Sequence, residues 1–281
     1  MDDKLAALRG ALRQMGRALV AFSGGVDSSF LLHVAVDELG DRVVALTTRS
    51  PTAPEDDEAI ARELAAALGV RHLLIDANEL DIPGYAENPI NRCYFCKGSL
   101  YDICRAEAAT LGIVHIVDGV NRDDLGDYRP GLKAAEEQGV RHPLAEVGLT
   151  KAEIRALSRQ LGLPTADKPS SPCLSSRFPY GTTITLDGLR KVSGAEQVLH
   201  RLGFPECRVR NHDPVARIEV PPAQLQRLTD PAVRAALVRE LQALGFAYVT
   251  VDLQGFRSGS LNEPLAAAPT PTPPSADPRE S

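Results

Sequence analysis

Tryptophan is absent from this chain of 281 residues, aromatic residues make up only 5% of it, and it contains two methionines. Proteins that bind single-stranded RNA stack its bases on aromatic side chains, so this composition is not typical of an RNA-binding surface. The formal net charge of −6 also gives no overall attraction for a polyanion. We therefore expect a small-molecule substrate rather than a nucleic acid.

The sequence also lacks a long apolar run. No segment approaches the roughly 18 consecutive apolar residues of a membrane span, and the start of the chain does not have the basic and then apolar order of a signal peptide. An odd number of cysteines, five, favours free thiols or metal ligands over a disulfide framework. These features predict a soluble, cytoplasmic protein without membrane contact.

Two familiar phosphate-binding motifs are missing, because neither GxxxxGK[ST] nor GxGxxG occurs. The sequence SGGVDSS instead connects a strand pattern that ends at Phe22 to an apolar helical run that begins at Phe30. Glycines let the backbone approach an anion, hydroxyls donate to it, and a helix start favours negative charge. The loop resembles the PP-loop of ATP pyrophosphatases, which cleave ATP between its α and β phosphates. Its residues, expected to bind ATP, are Ser23, Gly24, Gly25, Val26, Asp27, Ser28 and Ser29.

Strand and helix patterns alternate in the first half of the chain. The predicted strands are Ala18–Phe22, Arg42–Thr47, Arg71–Asp76 and Ile113–Gly119. Strands separated by helices predict a mostly parallel sheet covered on both faces, with ligands bound beyond the carboxyl ends of the strands. We expect this α/β, Rossmann-like domain to occupy residues 1–165 and to end with a helix capped by Thr150.

The second half predicts three further segments. Residues 166–182 are rich in proline and serine, which is typical of a linker, but they contain a cysteine and an arginine and are interpreted as a catalytic loop. Residues 183–263 show helix, strand, strand, helix and strand patterns, which predict a smaller α+β domain. Residues 264–281 contain much proline and alanine and little apolar bulk, which predicts a disordered tail.

A second polar loop, DGVNRDD, follows the fourth predicted strand. Its place at the same edge of the sheet predicts that Asp27 and Asp124 share a Mg²⁺, an ion that prefers carboxylate, phosphate and water oxygens. An acidic surface loop is the competing interpretation. Further candidates for contact with ATP are Thr48, Lys97, Gly119 and Asn121.

Three cysteines stand out by their positions. Cys93 and Cys96 form a CxxC pair, and Cys173 lies in the proline-rich loop. A structural zinc site normally needs four ligands, so three thiolates fit an iron–sulfur cluster with one open iron better. Buried or resolving thiols are the alternative for the CxxC pair. Cys104 and Cys207 have no metal-ligand spacing and are expected to be small core residues.

Six motifs in this order resemble the LarE family of ATP-dependent sulfur transferases: SGGVDSS, NRCYFCK, DGVNRDDLGDYRPG, KPSSPCLSSRFPYG, VARIEV and DLQGFRSGSLNE. The resemblance extends from about Leu8 to Glu263. It implies that pyridinium-3,5-dicarboxylate mononucleotide is adenylated and converted to a thiocarboxylate, in the synthesis of the nickel-pincer nucleotide cofactor of lactate racemase. It also implies a symmetric homo-oligomer such as a hexamer.

The resemblance offers two sources of sulfur. In some family members one cysteine, at the position of Cys173, gives up its own sulfur and becomes dehydroalanine. In others, three cysteines matching Cys93, Cys96 and Cys173 resemble ligands of a [4Fe–4S] cluster whose extra sulfide is delivered. Because this chain has all three cysteines, the cluster version is favoured. In both versions adenylation gives the carboxylate a leaving group, which a sulfur nucleophile displaces.

Arginines of the second half are candidates for substrate contact, because a guanidinium forms forked hydrogen bonds with phosphate or carboxylate. Solvated surface arginine is the competing interpretation. The candidate substrate-binding residues are Ser176, Arg177, Arg208 and Arg210. The candidates for a second cation site are Glu196 and Glu219.

Three other functions are compatible with the phosphate loop. A tRNA thiolation enzyme joins such a loop to reactive cysteines, but it would need a basic, aromatic groove for RNA. A synthetase that uses ammonia against the adenylate leaves the three cysteines unexplained. A nucleotide sensor without enzymatic activity would need only the phosphate loop.

Overall fold

The computed structural model describes residues 1–126, 130–257 and 259–263. The predicted tail, residues 264–281, lies outside the described residues. The helices are α1 (Asp2–Met15), α2 (Val26–Leu39), α3 (Glu55–Ala67), α4 (Arg92–Leu111), α5 (Pro130–Glu137), α6 (Pro143–Glu146), α7 (Lys151–Gln160), α8 (Leu186–Arg201), α9 (Leu225–Leu228) and α10 (Pro231–Ala243). The strands are β1 (Ala18–Ala21), β2 (Val43–Arg49), β3 (Arg71–Asp76), β4 (His115–Val117), β5 (Arg208–His212), β6 (Val215–Glu219) and β7 (Tyr248–Val251).

The first four strands form one parallel sheet in the order β3-β2-β1-β4. In its register Ala18 lies opposite Val43 on one side and His115 on the other. The predicted α/β fold with a mostly parallel sheet is therefore confirmed. The fourth strand is shorter than predicted, because the chain leaves the sheet at Asp118 to form a loop over the carboxyl edge.

Both faces of this sheet are covered, as the alternation of β1 shows. Ala18 and Val20 pack into a core with α1, α2 and α7, while Leu19 and Ala21 pack into a second core with α4. Successive strand residues point to opposite faces, so a strand buried on both sides has a continuous apolar sequence. This explains why the segment ALVA does not alternate with polar residues.

The CxxC pair lies in a helix. α4 begins at Arg92, so Cys93 and Cys96 occupy its first two turns. Further along, α4 packs Tyr101, Cys104 and Ala108 against the sheet. In a helix the residues of a CxxC pair are three apart and therefore project from the same side.

The second sheet has the order β5-β6-β7, with β5 antiparallel and β7 parallel to β6. Residues of α8 and α10 cover it and share an apolar core with it, including Leu199, Leu241 and Ile218. Cys207 is fully buried in this core, as Cys104 is beneath the first sheet, so the prediction of small core residues is confirmed for both.

A small apolar cluster joins the CxxC helix to the second half of the chain. Tyr85, Leu174 and Phe178 pack there with Leu189 of α8, and Cys96 lies against them. Because Leu174 follows Cys173 directly, this cluster holds the proline-rich loop beside the start of α4. Within the described residues no helix has both the length and the apolar character needed to cross a membrane.

Candidate active site

A cavity of about 820 Å³ opens at the carboxyl edge of the first sheet. It is bounded by the phosphate loop, the ends of β2 and β4, the start of α4, the proline-rich loop and one side of α8. The predicted site residues that line it are Ser23, Gly25, Asp27, Ser28, Thr48, Cys96, Lys97, Gly119, Asp124 and Cys173. Phosphate-loop and cysteine chemistry therefore share one cavity.

The phosphate loop is shaped by two glycine positions. Gly24 has φ of 68°, and a Cβ there would lie 2.9 Å from the Asp57 carbonyl oxygen. A Cβ on Gly119 would lie 2.7 Å from the Ser28 nitrogen, so the second polar loop rests directly on the phosphate loop. Val26 and Ser29 lie buried behind the loop and do not line the cavity.

The two carboxylates predicted to share a magnesium ion both face the cavity. Asp27 accepts a hydrogen bond from Lys151 Nζ at 2.5 Å, while its Oδ1 atom is buried and has no hydrogen-bond partner. Burial raises the pKa of Asp27 more than Lys151 lowers it, and the charge of Asp124 adds to the rise. A cation at this place would relieve that repulsion, so the residues fit Mg²⁺.

Buried hydrogen bonds fix the loop that follows β4. Asp118 accepts hydrogen bonds from Tyr101 Oη and from His142 Nδ1, both at 2.6 Å. Burial opposes ionisation of Asp118, but the His142 hydrogen bond and the charge of Lys97 outweigh it, and the pKa of Asp118 is lowered. Asn121 does not line the cavity; its Oδ1 atom accepts from the backbone of the same loop and shapes it.

The opposite side of the phosphate loop is walled by the end of β2. Thr47 donates its hydroxyl to the Phe22 carbonyl at 2.6 Å, and His72 Nε2 lies 2.8 Å from the same hydroxyl. Because Thr47 donates to Phe22, His72 must donate to Thr47. Thr48, one residue further, lines the cavity as expected of an ATP contact.

The three cysteines lie close enough for the charge of one thiolate to change the pKa of the others. Cys96 and Cys173 line the cavity, and the nearby charge of Cys173 contributes to the perturbation of both CxxC thiols. Burial is the largest cause that raises the pKa of Cys96 to about 12, and the charges of Cys173 and Glu79 add to it. A thiol with so high a pKa becomes a thiolate at neutral pH only when a cation binds it. Cys93, by contrast, is exposed and does not line the cavity.

No group of three or more His, Cys, Asp or Glu side chains in the described residues is arranged around a single metal ion. Cluster ligands bind different iron atoms and so stand further apart than the ligands of one ion. The donor set of three free cysteines is compatible with such a cluster in its chemistry.

The predicted substrate arginines lie outside the cavity. Arg177 forms two hydrogen bonds of 2.9 Å with Glu196, and Arg210 forms two, of 2.9 and 2.8 Å, with Glu219. These carboxylates, the candidates for a second cation site, thus each have a buried arginine partner. Arg208 donates only to backbone carbonyls and stacks 5.0 Å from the ring centroid of Phe256. Ser176 also does not line the cavity.

Four residues of the site were not predicted from the sequence. Lys151 contacts Asp27 of the carboxylate pair, and Glu79 lies near Cys96. Arg190 of α8 lines the same cavity as Cys173. Lys168 contacts the phosphate loop from the proline-rich loop. The only available signal was the position of Lys151 directly after the Thr150 cap, at the end of the predicted α/β domain.

Comparison with known proteins identifies the family. The asparagine synthase family model matches residues 5–91. The chain is 42% identical to pyridinium-3,5-bisthiocarboxylic acid mononucleotide synthase of Lactiplantibacillus plantarum over 95% of this chain and 97% of that protein. It is 48% identical to protein slr1717 of Synechocystis, over 94% and 99% of the two chains.

A tRNA-specific 2-thiouridylase of Thermus thermophilus is more distant. It is 32% identical over 56% of this chain and 53% of its own length. The full-length match to the synthase, together with a phosphate loop and cysteines that line one cavity, confirms the family that the motifs suggested. The chain belongs to the LarE family, and it is an ATP-using, sulfur-transferring enzyme of the PP-loop type.

Proposed function

We propose that this enzyme adenylates a carboxylate of pyridinium-3,5-dicarboxylate mononucleotide and converts it to a thiocarboxylate, in the synthesis of the nickel-pincer nucleotide cofactor. The observation that carries the proposal is that one cavity is lined by both the phosphate loop and Cys173. The full-length relative in Lactiplantibacillus plantarum, named for the bisthiocarboxylic acid mononucleotide, supports the choice of substrate.

The first step forms an acyl-adenylate. A substrate carboxylate oxygen attacks the α-phosphorus of ATP, and pyrophosphate leaves. The backbone of Gly25, the hydroxyls of Ser23 and Ser28, and the start of α2 bind the phosphates. Lys97 faces the same cavity and adds positive charge. Asp27 and Asp124 would hold Mg²⁺, which neutralises charge on the phosphate oxygens.

The second step transfers sulfur. In the version that uses Cys173 alone, its sulfur attacks the acyl carbon and AMP leaves, which forms a thioester. Loss of the Cα proton of Cys173 to a base then breaks its Cβ–Sγ bond. The products are the thiocarboxylate and dehydroalanine. Arg177 donates to the carbonyls of Pro172 and Cys173 at 2.8 and 3.2 Å and so holds this loop in place.

Three cysteines allow a catalytic alternative. Cys93, Cys96 and Cys173 would hold a [4Fe–4S] cluster, and when bound it would supply a sulfide and leave Cys173 intact. The raised pKa of Cys96 fits a thiol that loses its proton to a bound metal rather than a thiol activated as a nucleophile.

One wall of the cavity suits the substrate. Arg190 and Ser193 project from α8 into the cavity and suit a phosphate. Arg208 lies outside the cavity, its guanidinium donates to the Cys207 and Ser170 carbonyls, and its role in substrate binding stays a prediction. Ser176, Arg177 and Arg210 stay predictions, as does a symmetric assembly such as a hexamer, in which second-half surfaces would meet. A cytoplasmic location is part of the same proposal.

A tRNA thiolation enzyme is the second candidate, favoured by the match to the Thermus thermophilus thiouridylase. That match covers about half of each chain, and the net charge of −6 does not favour RNA. An ammonia-using synthetase would not need cysteines in the cavity. The product separates the three functions: the proposed enzyme transfers sulfur to the mononucleotide, a tRNA thiolation enzyme transfers it to tRNA, and an ammonia-using synthetase transfers none.

The proposal is tested on protein purified without oxygen, by iron and acid-labile sulfide content, pyrophosphate release and the mass of the mononucleotide product. About four irons per chain, lost in Cys93→Ala, would indicate the cluster. Iron-free protein after faithful reconstitution, with Cys173 lighter by one sulfur after turnover, would indicate sacrifice of the cysteine. The function itself is tested with two cysteine variants. Cys173→Ala is expected to release pyrophosphate without transferring sulfur, while the control Cys207→Ala retains both activities. A Cys173→Ala variant that still forms thiocarboxylate would refute the proposal.

A further inference from the structure

Lys168 connects the phosphate loop to the loop that carries Cys173. Its Nζ atom donates to the Gly24 carbonyl at 3.0 Å and lies 2.9 Å from Asp57 Oδ1. The side chain is only 14% exposed and that of Asp57 18%, so the pair is largely shielded from water. Charge-assisted hydrogen bonds shielded in this way are stronger than neutral ones.

The backbone of Lys168 is fixed independently of its side chain. Its amide donates to the Thr165 carbonyl at 3.1 Å, and its own carbonyl accepts from Arg155 Nη2 at 2.8 Å. Arg155 also donates to the Ala166 carbonyl at 2.7 Å. The root of the loop is therefore bound to α7, and from this root the lysine side chain reaches the phosphate loop.

The contact with Gly24 orients a group that faces ATP. In a planar trans peptide the carbonyl of one residue and the N–H of the next point in opposite directions. A lysine that holds the Gly24 carbonyl therefore turns the Gly25 N–H away from itself. In agreement, Gly25 lines the cavity, whereas Gly24 and Lys168 do not.

Beyond Lys168 the loop is held from other directions. Arg208 donates to the Ser170 carbonyl at 2.7 Å, and the Leu174 amide donates to the Thr52 carbonyl at 2.7 Å. These contacts hold the cysteine segment to β5 and to the loop after β2. Lys168 is the contact that joins the segment before Cys173 to the phosphate loop itself.

We propose that Lys168 is a positioning residue that sets the Gly24–Gly25 peptide for ATP and, at the same time, places Cys173 at the adenylate. The inference rests on the proposed function, because it assumes that an acyl-adenylate forms in the cavity and receives sulfur there. When the link is broken, Cys173 is displaced and water hydrolyses the acyl-adenylate to AMP and carboxylate before sulfur attacks it. ATP consumption is then uncoupled from sulfur transfer.

The test compares wild type, Lys168→Met, Lys168→Arg and the control Lys133→Met, an exposed lysine of α5. Lys168→Met is expected to raise the KM for ATP and to lower the sulfur transferred per pyrophosphate released, each about tenfold. Lys168→Arg keeps a donor and a charge and should recover part of both. A raised KM with an unchanged ratio, or no change in either quantity, would overturn the inference.

A second measurement does not depend on the substrate. In iron-free protein, alkylation of Cys173 should be several-fold faster in Lys168→Met, while the fully buried Cys104 and Cys207 stay as slow as in wild type. Equal acceleration at all three thiols would show general unfolding. An unchanged rate at Cys173 would show that Lys168 does not hold the loop in place. Either result would contradict the proposal. If wild type makes no thiocarboxylate, the proposed function fails, and alkylation still decides the role of Lys168.

Discussion

Gly119 provides a sharp test of the phosphate site, because its replacement acts by size alone. Its Cβ in Gly119→Ala would lie 2.7 Å from the Ser28 nitrogen and 3.0 Å from the Ser28 Cα, whereas ordinary contact begins at 3.4 Å. Both atoms belong to the backbone, so no side chain can rotate away. The two loops must therefore separate by about 0.7 Å.

This displacement predicts a large loss of adenylation. A misplacement of about 1 Å in a catalytic arrangement costs on the order of 100-fold in rate, so we expect pyrophosphate release to fall between tenfold and about 100-fold. The assay is ATP-dependent pyrophosphate release at saturating ATP, together with the melting temperature. Gly98→Ala is the matched control, because its Cβ meets nothing within 4 Å. Full activity in Gly119→Ala would refute the placement of ATP on this loop.

Three further predictions concern charged residues. Lys151→Met removes the partner of Asp27 and should raise the KM for ATP roughly tenfold, measured by pyrophosphate release; an unchanged KM would show that the Lys151–Asp27 pair does not support ATP binding. Arg190→Ala should raise the KM for the mononucleotide, again roughly tenfold, and leave that for ATP unchanged. The pKa of Glu153 is lowered to about 2 by Lys4 and by the Thr150 cap. Glu153→Gln should therefore lose about 1 kcal/mol of unfolding free energy at neutral pH, and wild type should lose this advantage as pH falls from about 4.5 towards 2.

Local sequence patterns were sufficient for the first sheet and the phosphate loop. Each strand is an apolar run, and the glycine loop stands directly between a strand and a helix, so their neighbours along the chain determine their structure. The CxxC segment shows the limit of such reasoning. Cysteine and aromatic side chains are poor indicators of helix, and α4 forms because Tyr101 and Cys104 pack against the sheet.

The roles of charged residues depended on contacts that the sequence does not reveal. Arg177 and Arg210 had the residue type expected of a substrate contact, but each is paired with a buried glutamate. Lys151 reaches Asp27 across 124 positions, and Lys168 reaches Gly24 across 144. Such pairs follow from how the loops meet at the sheet edge, and a single sequence contains no local pattern for that.

The position of Cys173 follows from these contacts and explains how one cavity can serve two steps. Its loop is bound to the phosphate loop through Lys168 before the cysteine, and the Cys173 carbonyl itself is bound by Arg177, which is held by Glu196 of α8. A cysteine on a free loop would have to find an adenylate that water also attacks. Because the loop is fixed at both ends, we propose that Cys173, or the cluster it would help to hold, is already beside the activated carboxylate, so that orientation favours sulfur transfer over hydrolysis.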